Sequence, residues 1–307
     1  MDGIKVLSLF DGISCGQIAL ERAGIKVNSY FASEIKKHAI ITTQARYPST
    51  IQLGDITKIS YRDGVLYTNN GNFNVGTIDL LLGGSPCQNF SIARISNGFI
   101  RDGLDGDKSK LFYEYLRLKK EITPKHFLLE NVRMKKESKE QLDDYLGVDG
   151  MLIDSDTISY QKRPRIYWTD IPNLTIPTNK NINFQNHKDN NHDYCKQFKV
   201  NKTPSRERMW NKGQSTSSMR SSCANITKSD KIYCVTCDQD RAPNSGLIEF
   251  EDFCRYLTTR ELEIAQTLPV GYTNGLSIRQ AQDVIGDGWT VDVIVHILKN
   301  LPEEWKN

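Results

Sequence analysis

Four short segments of this 307-residue chain combine residue types that could do chemistry. The first is Phe10-Asp11-Gly12-Ile13-Ser14-Cys15-Gly16, directly after an apolar run. Glycines in such a turn let the backbone approach a ligand closely. The spacing is not Gly-x-Gly-x-x-Gly, so the dinucleotide fingerprint is missing. The second is Glu34, behind another apolar run, where a carboxylate can accept both hydroxyls of a ribose. The third is Gly83-Gly84-Ser85-Pro86-Cys87-Gln88. Pro86 fixes its own φ, and a following helical turn would favour a thiolate, which makes Cys87 a candidate nucleophile. A single cysteine is more often a small buried hydrophobe, but the flanking glycines and proline argue against packing alone. The fourth is Glu130-Asn131-Val132, whose carboxyl can serve as an acid or hydrogen-bond donor in a desolvated site. Further on, Gln161-Lys162-Arg163-Pro164-Arg165 sets two arginines two apart, so that on an extended segment both face one side.

Chemistry of this kind needs a scaffold that brings strand ends together. Ile4–Phe10 reads as a buried strand, Gln17–Ala23 as a short helix stopped by Gly24, and Val27–Ala32 as a second strand. A helical stretch covers Lys36–Arg46. Ile78–Leu82 and His126–Leu129 are further strands, with a helical pattern over Lys110–Glu121 between them. This alternation predicts an α/β fold with a parallel sheet, whose ligands sit outside the carboxyl ends of the strands. Residues 171–230 are rich in Asn, Lys, Ser and Thr and have little periodicity, which predicts a loop-rich small domain or partial disorder. A helical pattern returns over Phe250–Thr267, with Thr258 or Thr259 as N-cap and Glu261 supporting the first turn. Trp289–Leu298 is apolar enough to be buried. The chain thus leaves a first domain (1–170 plus 257–307) for an excursion over 171–256.

With 38% hydrophobic and 25% charged residues the chain can bury a core. No apolar run approaches the roughly 20 residues of a membrane helix, and no signal peptide is read, which implies a cytoplasmic protein. Seven irregularly spaced cysteines predict reduced thiols rather than a disulfide scaffold. The net charge of +3 divides unevenly. Residues 161–241 hold 15 Lys and Arg against 7 Asp and Glu, a net +8, which leaves −5 for the rest. A basic block on a near-neutral chain is the footprint of a polyanion ligand, or else a solvated lysine-rich surface. No metal is expected. Cys234 and Cys237 form a lone CxxC, which cannot make a typical zinc site, and His187 and His192 read as solvated.

Taken in order, these pieces resemble the cytosine-5 DNA methyltransferase family. The Phe-Asp-Gly turn, the Ala-Ser-Glu strand end, Gly54-Asp55-Ile56, Pro-Cys-Gln, Glu-Asn-Val, Gln-x-Arg-x-Arg and a C-terminal closing segment match most of the chain outside about 171–225. The runs VLSLFDGI and GGSPC look most similar to eukaryotic de novo methyltransferase catalytic domains, while the compact length fits a phage or bacterial enzyme. The resemblance implies a Rossmann-like fold that uses S-adenosyl-L-methionine, with a smaller target recognition domain over 171–256. It implies Cys87 as the thiolate that adds to C6 of cytosine. Glu130 would bind N3 and the exocyclic amine, Arg165 would contact O2, and Arg163 would support the loop or a phosphate. Phe10 would pack on the cofactor adenine, with Asp11, Gly12 and Ile13 near the methionine part. Glu34 would take the ribose hydroxyls beside Ile35, and Asp55 the adenine amino group beside Ile56. Gly84 and Pro86 would wall the methyl group and Leu111 would cover it. The run Gly286-Asp287-Gly288-Trp289-Thr290-Val291 would close the pocket, with Asp287, Trp289 and Thr290 at the cofactor. Most of the family carries Asn where this chain has Asp287, which leaves either an extra carboxylate near the methionine ammonium or a side chain turned to solvent.

The target carbon is inaccessible in a duplex, so the base must be flipped out. Residues 88–109 resemble the family's mobile catalytic loop, with Gly98, Gly103 and Gly106 allowing motion and Arg94 and Arg101 able to reach phosphate. Gln88 and Ser91 would contact the flipped nucleotide or the backbone. In the basic excursion, Thr236, Arg241, Lys231 and Arg220 are candidates for base or phosphate contacts. The implied partner is double-stranded DNA, the implied state a monomer, and the implied setting restriction-modification, with a possible cognate restriction enzyme, or phage self-protection. Three rivals remain. A tRNA cytosine-5 methyltransferase would usually carry a Cys-Phe-Thr element, which this chain lacks. A non-catalytic DNA-binding regulator of the same fold would lack Cys87 or Glu130. A nicotinamide enzyme would carry the glycine fingerprint. Cys87→Ser is expected to abolish turnover while largely preserving cofactor binding; loss of S-adenosyl-L-methionine affinity in that variant, read by calorimetry, would count against Cys87 as the nucleophile.

Overall fold

In the computed structural model, residues 3–85, 110–201, 224–239, 245–250 and 252–306 are described. They fall into two compact units. The first comprises Met1–Ile153, Pro164–Ile176 and Val293–Asn307. Its chain runs β1 (Ile4–Leu9), α1 (Cys15–Ala23), β2 (Val27–Ser33), α2 (Lys37–Arg46) and β3 (Ile51–Gln52). A small meander follows: β4 (Ser60–Arg62), β5 (Val65–Thr68) and β6 (Gly71–Asn74). Then come β7 (Leu80–Gly84), α3 (Lys110–Ile122), β8 (His126–Val132), α4 (Lys136–Leu146), β9 (Met151–Asp154) and β10 (Pro164–Thr169).

Seven of these strands form one sheet in the order β3-β2-β1-β7-β8-β10-β9. The pairs β1–β2, β1–β7 and β7–β8 are parallel, and β10 returns antiparallel to β8. Central strands covered on both faces need near-continuous apolar sequence. Val6, Leu7 and Leu9 of β1 and Leu80, Leu81 and Leu82 of β7 are accordingly fully buried. Helix α3 lies so close to β7 that a Cβ on Gly83 would meet the Tyr115 ring at 2.5 Å. Helix α1 ends as its sequence predicts, at Gly24 in the left-handed region, whose N–H reaches the carbonyls of Leu20 and Glu21.

The second unit comprises Asp154–Arg163 and Pro177–Asp292. It holds α5 (His192–Lys196), the antiparallel pair β11 (Ile248–Glu249) and β12 (Cys254–Arg255), α6 (Thr259–Ala265) and α7 (Ile278–Asp287). A last helix, α8 (Val291–Leu298), follows; its Val293, Ile294, Ile297 and Leu298 are buried. The helical pattern expected over Phe250–Thr267 is corrected: only its second half is helical. Ile248–Glu249 pairs antiparallel with Cys254–Arg255, and the helix starts where Thr258 and Glu261 form a reciprocal capping box. The compact units are also cut differently from the expected 171–256 excursion, because residues 154–163 and 257–292 group with the second unit. The physical reason is a set of buried polar side chains, described below, that bind these segments to one another.

Candidate active site

Strand register sets the site in the first unit. Leu9 is paired with Ser33 on one side and with Gly83 on the other, and Gly84 is paired with Glu130. Phe10, Glu34, Ser85 and Glu130 therefore emerge at one edge of the sheet. That edge includes the point where strand order reverses between β1 and β7, the usual place for a crevice in such folds.

The turn after β1 is strongly bent, with Phe10, Gly12 and Ser14 all at positive φ. Glu34 reaches back to it. Its Oε2 accepts from Gly12 N at 2.8 Å, and its Oε1 accepts from Ile35 N at 2.7 Å and Lys36 N at 2.8 Å. A carboxylate has about four lone-pair positions, so one stays open to a ligand hydroxyl. Beside it Ile35 is 71% exposed, an apolar side chain at the rim of a polar turn. Phe10 packs partly against the main core. Asp55 is exposed and caps a short 3-10 turn through Thr57 N, while Ile56 is buried in the core. Ile13 is fully buried, Leu111 packs against the core, and Gly84 ends β7.

Asp11 is the unusual group. The residue keeps some surface, yet its carboxyl accepts from the Ser14 hydroxyl and, at 2.7 Å, from Tyr30 OH. Burial, opposed by these hydroxyls and aided by the Glu34 charge, pushes its pKa up to about 6. Two neighbouring carboxylates, a free ribose-type acceptor and an apolar rim fit a cationic nucleoside such as the implied cofactor.

Glu130 and Arg165 stand on adjacent antiparallel strands. Arg165 Nε lies 2.9 Å from Glu130 Oε1, and both side chains are nearly buried. Asn131, 1% exposed, donates from Nδ2 to Ser85 Oγ at 2.9 Å and so holds the end of β7. Pro86, Cys87, Gln88, Ser91, Arg94 and Arg241 lie outside the described residues, as do Arg101 and Arg220.

In the second unit the polar residues form a buried hub. Gln161 Oε1 accepts from Val235 N at 2.7 Å, and its Nε2 donates to Ala265 O and to Gln266 Oε1, each at 3.0 Å. Gln266 Nε2 donates to Ile285 O and Gly288 O, each at 2.9 Å. Thr290 Oγ1 donates to Gln266 Oε1 at 2.9 Å. The Arg163 guanidinium, in a residue 5% exposed, donates to Val235 O at 2.7 Å, Gly288 O at 2.9 Å and Gly286 O at 3.1 Å. Arg163 is thereby committed to backbone carbonyls. Trp289 is buried, and Thr236 Oγ1 donates to Asp238 O at 2.9 Å. Lys231 Nζ is held by the carbonyls of Asp156 and Ser159. Asp287 is exposed and accepts from Cys237 Sγ at 2.7 Å. Ligand atoms of Cys237, Asp283 and Asp287 lie within 4.8 Å of one another, an arrangement common without any ion. The sequence alone does not mark Gln266, since an amide after a helix gains meaning only from the three segments it joins.

Residues 4–166 match the family model described as C-5 cytosine-specific DNA methylase. Among curated proteins, the chain is 35% identical over 135 residues to the orphan methyltransferase M.Rho11sI of Bacillus phage rho11s, covering 43% of this chain and 24% of that protein. It is 40% identical over 129 residues to the type II methyltransferase M1.ScrFI of Lactococcus lactis subsp. cremoris, covering 42% and 28%. The chain thus spans about a quarter of the length of the curated relatives it matches. Among solved structures, the Entamoeba histolytica methyltransferase EhMeth superposes with a TM-score of 0.70 at 17% identity over 99% of both chains. A putative DNA modification methyltransferase encoded within an Escherichia coli prophage gives 0.60 at 19% identity over 97% and 98%. At these identities the likeness is one of fold, and it agrees with the Rossmann-like α/β architecture expected.

Asp11 predicts a pH signature. Its folded pKa lies above the unfolded value, so between about pH 4 and 6 the native state binds more protons than the unfolded chain. Its contribution to stability therefore falls as pH rises through that window. Asp11→Asn is expected to gain on the parent by about 2.5 kcal/mol between pH 4 and pH 8, read as the difference in unfolding free energy; parallel pH profiles for the two proteins would refute the buried-acid reading.

Proposed function

Because the chain belongs to the C-5 cytosine-specific DNA methylase family, we propose that it transfers a methyl group from S-adenosyl-L-methionine to C5 of cytosine in double-stranded DNA. The observation that carries this reading is the Glu130–Arg165 pair, held 2.9 Å apart at the sheet edge directly beside the end of β7 that leads into Pro86-Cys87.

The chemistry explains the demand for these residues. C5 of cytosine is a poor nucleophile. Addition of the Cys87 thiolate to C6 moves electron density to C5, which becomes enamine-like and able to attack an electrophilic carbon. The negative charge that develops falls on N3 and O2. The Glu130 carboxyl would give its proton to N3, taking it back when Cys87 leaves, and accept from the exocyclic amine, while Arg165 would donate to O2, so both ends of the delocalised charge have a partner. Because β8 and β10 are hydrogen-bonded neighbours, the two groups keep their separation without reorganising. After transfer a base takes the C5 proton, the electron pair restores the C5–C6 double bond, and Cys87 leaves. The base must first be flipped from the duplex, at a cost of a few kcal/mol.

The cofactor supplies an electrophilic sulfonium methyl when bound. Glu34 would accept from its ribose, Ile35 and Phe10 would give it apolar surface, and Asp11 would add negative field near its cationic end. The basic 161–241 segment would serve DNA binding. A short recognition segment fits a short target site, in restriction-modification or phage self-protection.

Bisulfite sequencing of plasmid DNA from cells expressing the protein tests the reading. Discrete protected cytosines are expected, with none in the Cys87→Ser control. Glu130→Gln is expected to lower turnover by about 10²–10⁴-fold with little change in cofactor affinity. Soluble, cofactor-binding protein that protects no cytosine would overturn the DNA assignment.

A further inference from the structure

The β4–β6 meander plays no part in the reaction above, yet one of its turns reaches the proposed adenine end of the cofactor site. Thr68 is paired with Gly71, so the β5–β6 connection is the two-residue loop Asn69-Asn70. Thr68 closes it, accepting from Asn70 N at 3.0 Å and donating from its Oγ1 to Gly71 O at 2.9 Å. The Asn70 side chain turns away from the meander. Its Nδ2 donates to Gln52 O at 3.1 Å, at the end of β3.

That bond assigns the amide: nitrogen toward β3, oxygen away from it. Gly54 makes room for the carboxamide. It sits at φ +80°, and a Cβ there would lie 3.3 Å from Asn70 Nδ2 and 3.7 Å from its Oδ1. Ser33 Oγ holds the same glycine by its carbonyl at 2.7 Å. The next residue is Asp55. Its Oδ1 accepts from Thr57 N at 2.9 Å. Among the described residues neither Asp55 Oδ2 nor Asn70 Oδ1 has a hydrogen-bond partner. Two anchored acceptor side chains thus flank one glycine, whose carbonyl is held by Ser33, two residues before the exposed Ile35.

An exocyclic amine carries two N–H donors, and a pair of acceptors is its complement. We propose that Asn70 is a specificity-determining residue for the cofactor, its Oδ1 accepting one hydrogen of the adenine 6-amino group while Asp55 accepts the other. The inference rests on the S-adenosyl-L-methionine reading of this site. A 6-oxo purine presents an acceptor at the same place and would face two acceptors, so the arrangement selects adenine over hypoxanthine.

Calorimetry with S-adenosylhomocysteine and S-inosylhomocysteine tests this without turnover. The parent protein is expected to prefer the adenosyl ligand. Asn70→Ala is expected to weaken that ligand by about tenfold and leave the inosyl ligand unchanged, so that the preference falls by the same factor. Asn70→Asp keeps an acceptor although it gives up the bond to Gln52 O, and is expected to retain more of the preference than Asn70→Ala. A merely structural role for Asn70 would lower the melting temperature or weaken both ligands alike, and an unchanged preference in Asn70→Ala would overturn the proposal while leaving the cofactor reading intact. A parent protein that binds neither ligand would overturn both.

Discussion

The in-register parallel pairing of β2, β1, β7 and β8 is the constraint on which the rest of this protein depends. Parallel strands must be joined by crossovers, so every forward strand ends at the same edge. Four chain reversals then share that edge, and Phe10, Glu34, Ser85 and Glu130 become neighbours although 120 positions separate the first from the last. A slip of one residue in any pairing would turn these side chains to the opposite face. The depth of the apolar burial in β1 and β7 opposes such slips.

Buried polar groups do the complementary work. Gln161, Arg163 and Gln266 are nearly or wholly inaccessible, and their bonds end on backbone groups, on other members of the hub and, for Arg163, also on Cys234 Sγ. A buried amide or guanidinium left unpaired costs far more than the net gain of its bond, so the hub has one satisfied arrangement. That arrangement ties Val235, beside the candidate DNA contact Thr236, to the turn from Gly286 to Thr290. The fully buried Arg255–Glu261 pair acts in the same way at the start of α6. Such a pair is weak evidence for stability, but removal of either partner would strand a charge.

The first unit tolerates charge at its ligand edge for a different reason. Asp11 is costly when ionised, and Glu34 accepts from three backbone N–H groups. Among the described residues, two acids at one turn are held by hydroxyls and amides rather than by lysine or arginine, which leaves their field directed at whatever occupies the edge. A cation there would relieve the cost that the isolated protein carries.

Much of this was legible before any coordinates. Short apolar runs ending in glycine or an acid identified β1, β2, β7 and β8, because strands buried on both faces need such runs, and the order of motifs pointed to the family. The meander was missed, although Asp63-Gly64 and Asn70-Gly71 are hairpin signals flanked by Val65, Leu66 and Tyr67. Periodicity overextends the helix over Phe250–Thr267, since it cannot distinguish a short antiparallel pair from a first helical turn. Local composition therefore determined which main-sheet strands exist and which residues are candidates for chemistry. Only the tertiary structure decided that Arg163 braces carbonyls while Arg165 faces Glu130, that Gln266 is a hub, and that Asn70 lies over Gly54. Each of those depends on partners distant in sequence, and a hydrogen bond between distant residues leaves no periodic trace along the chain.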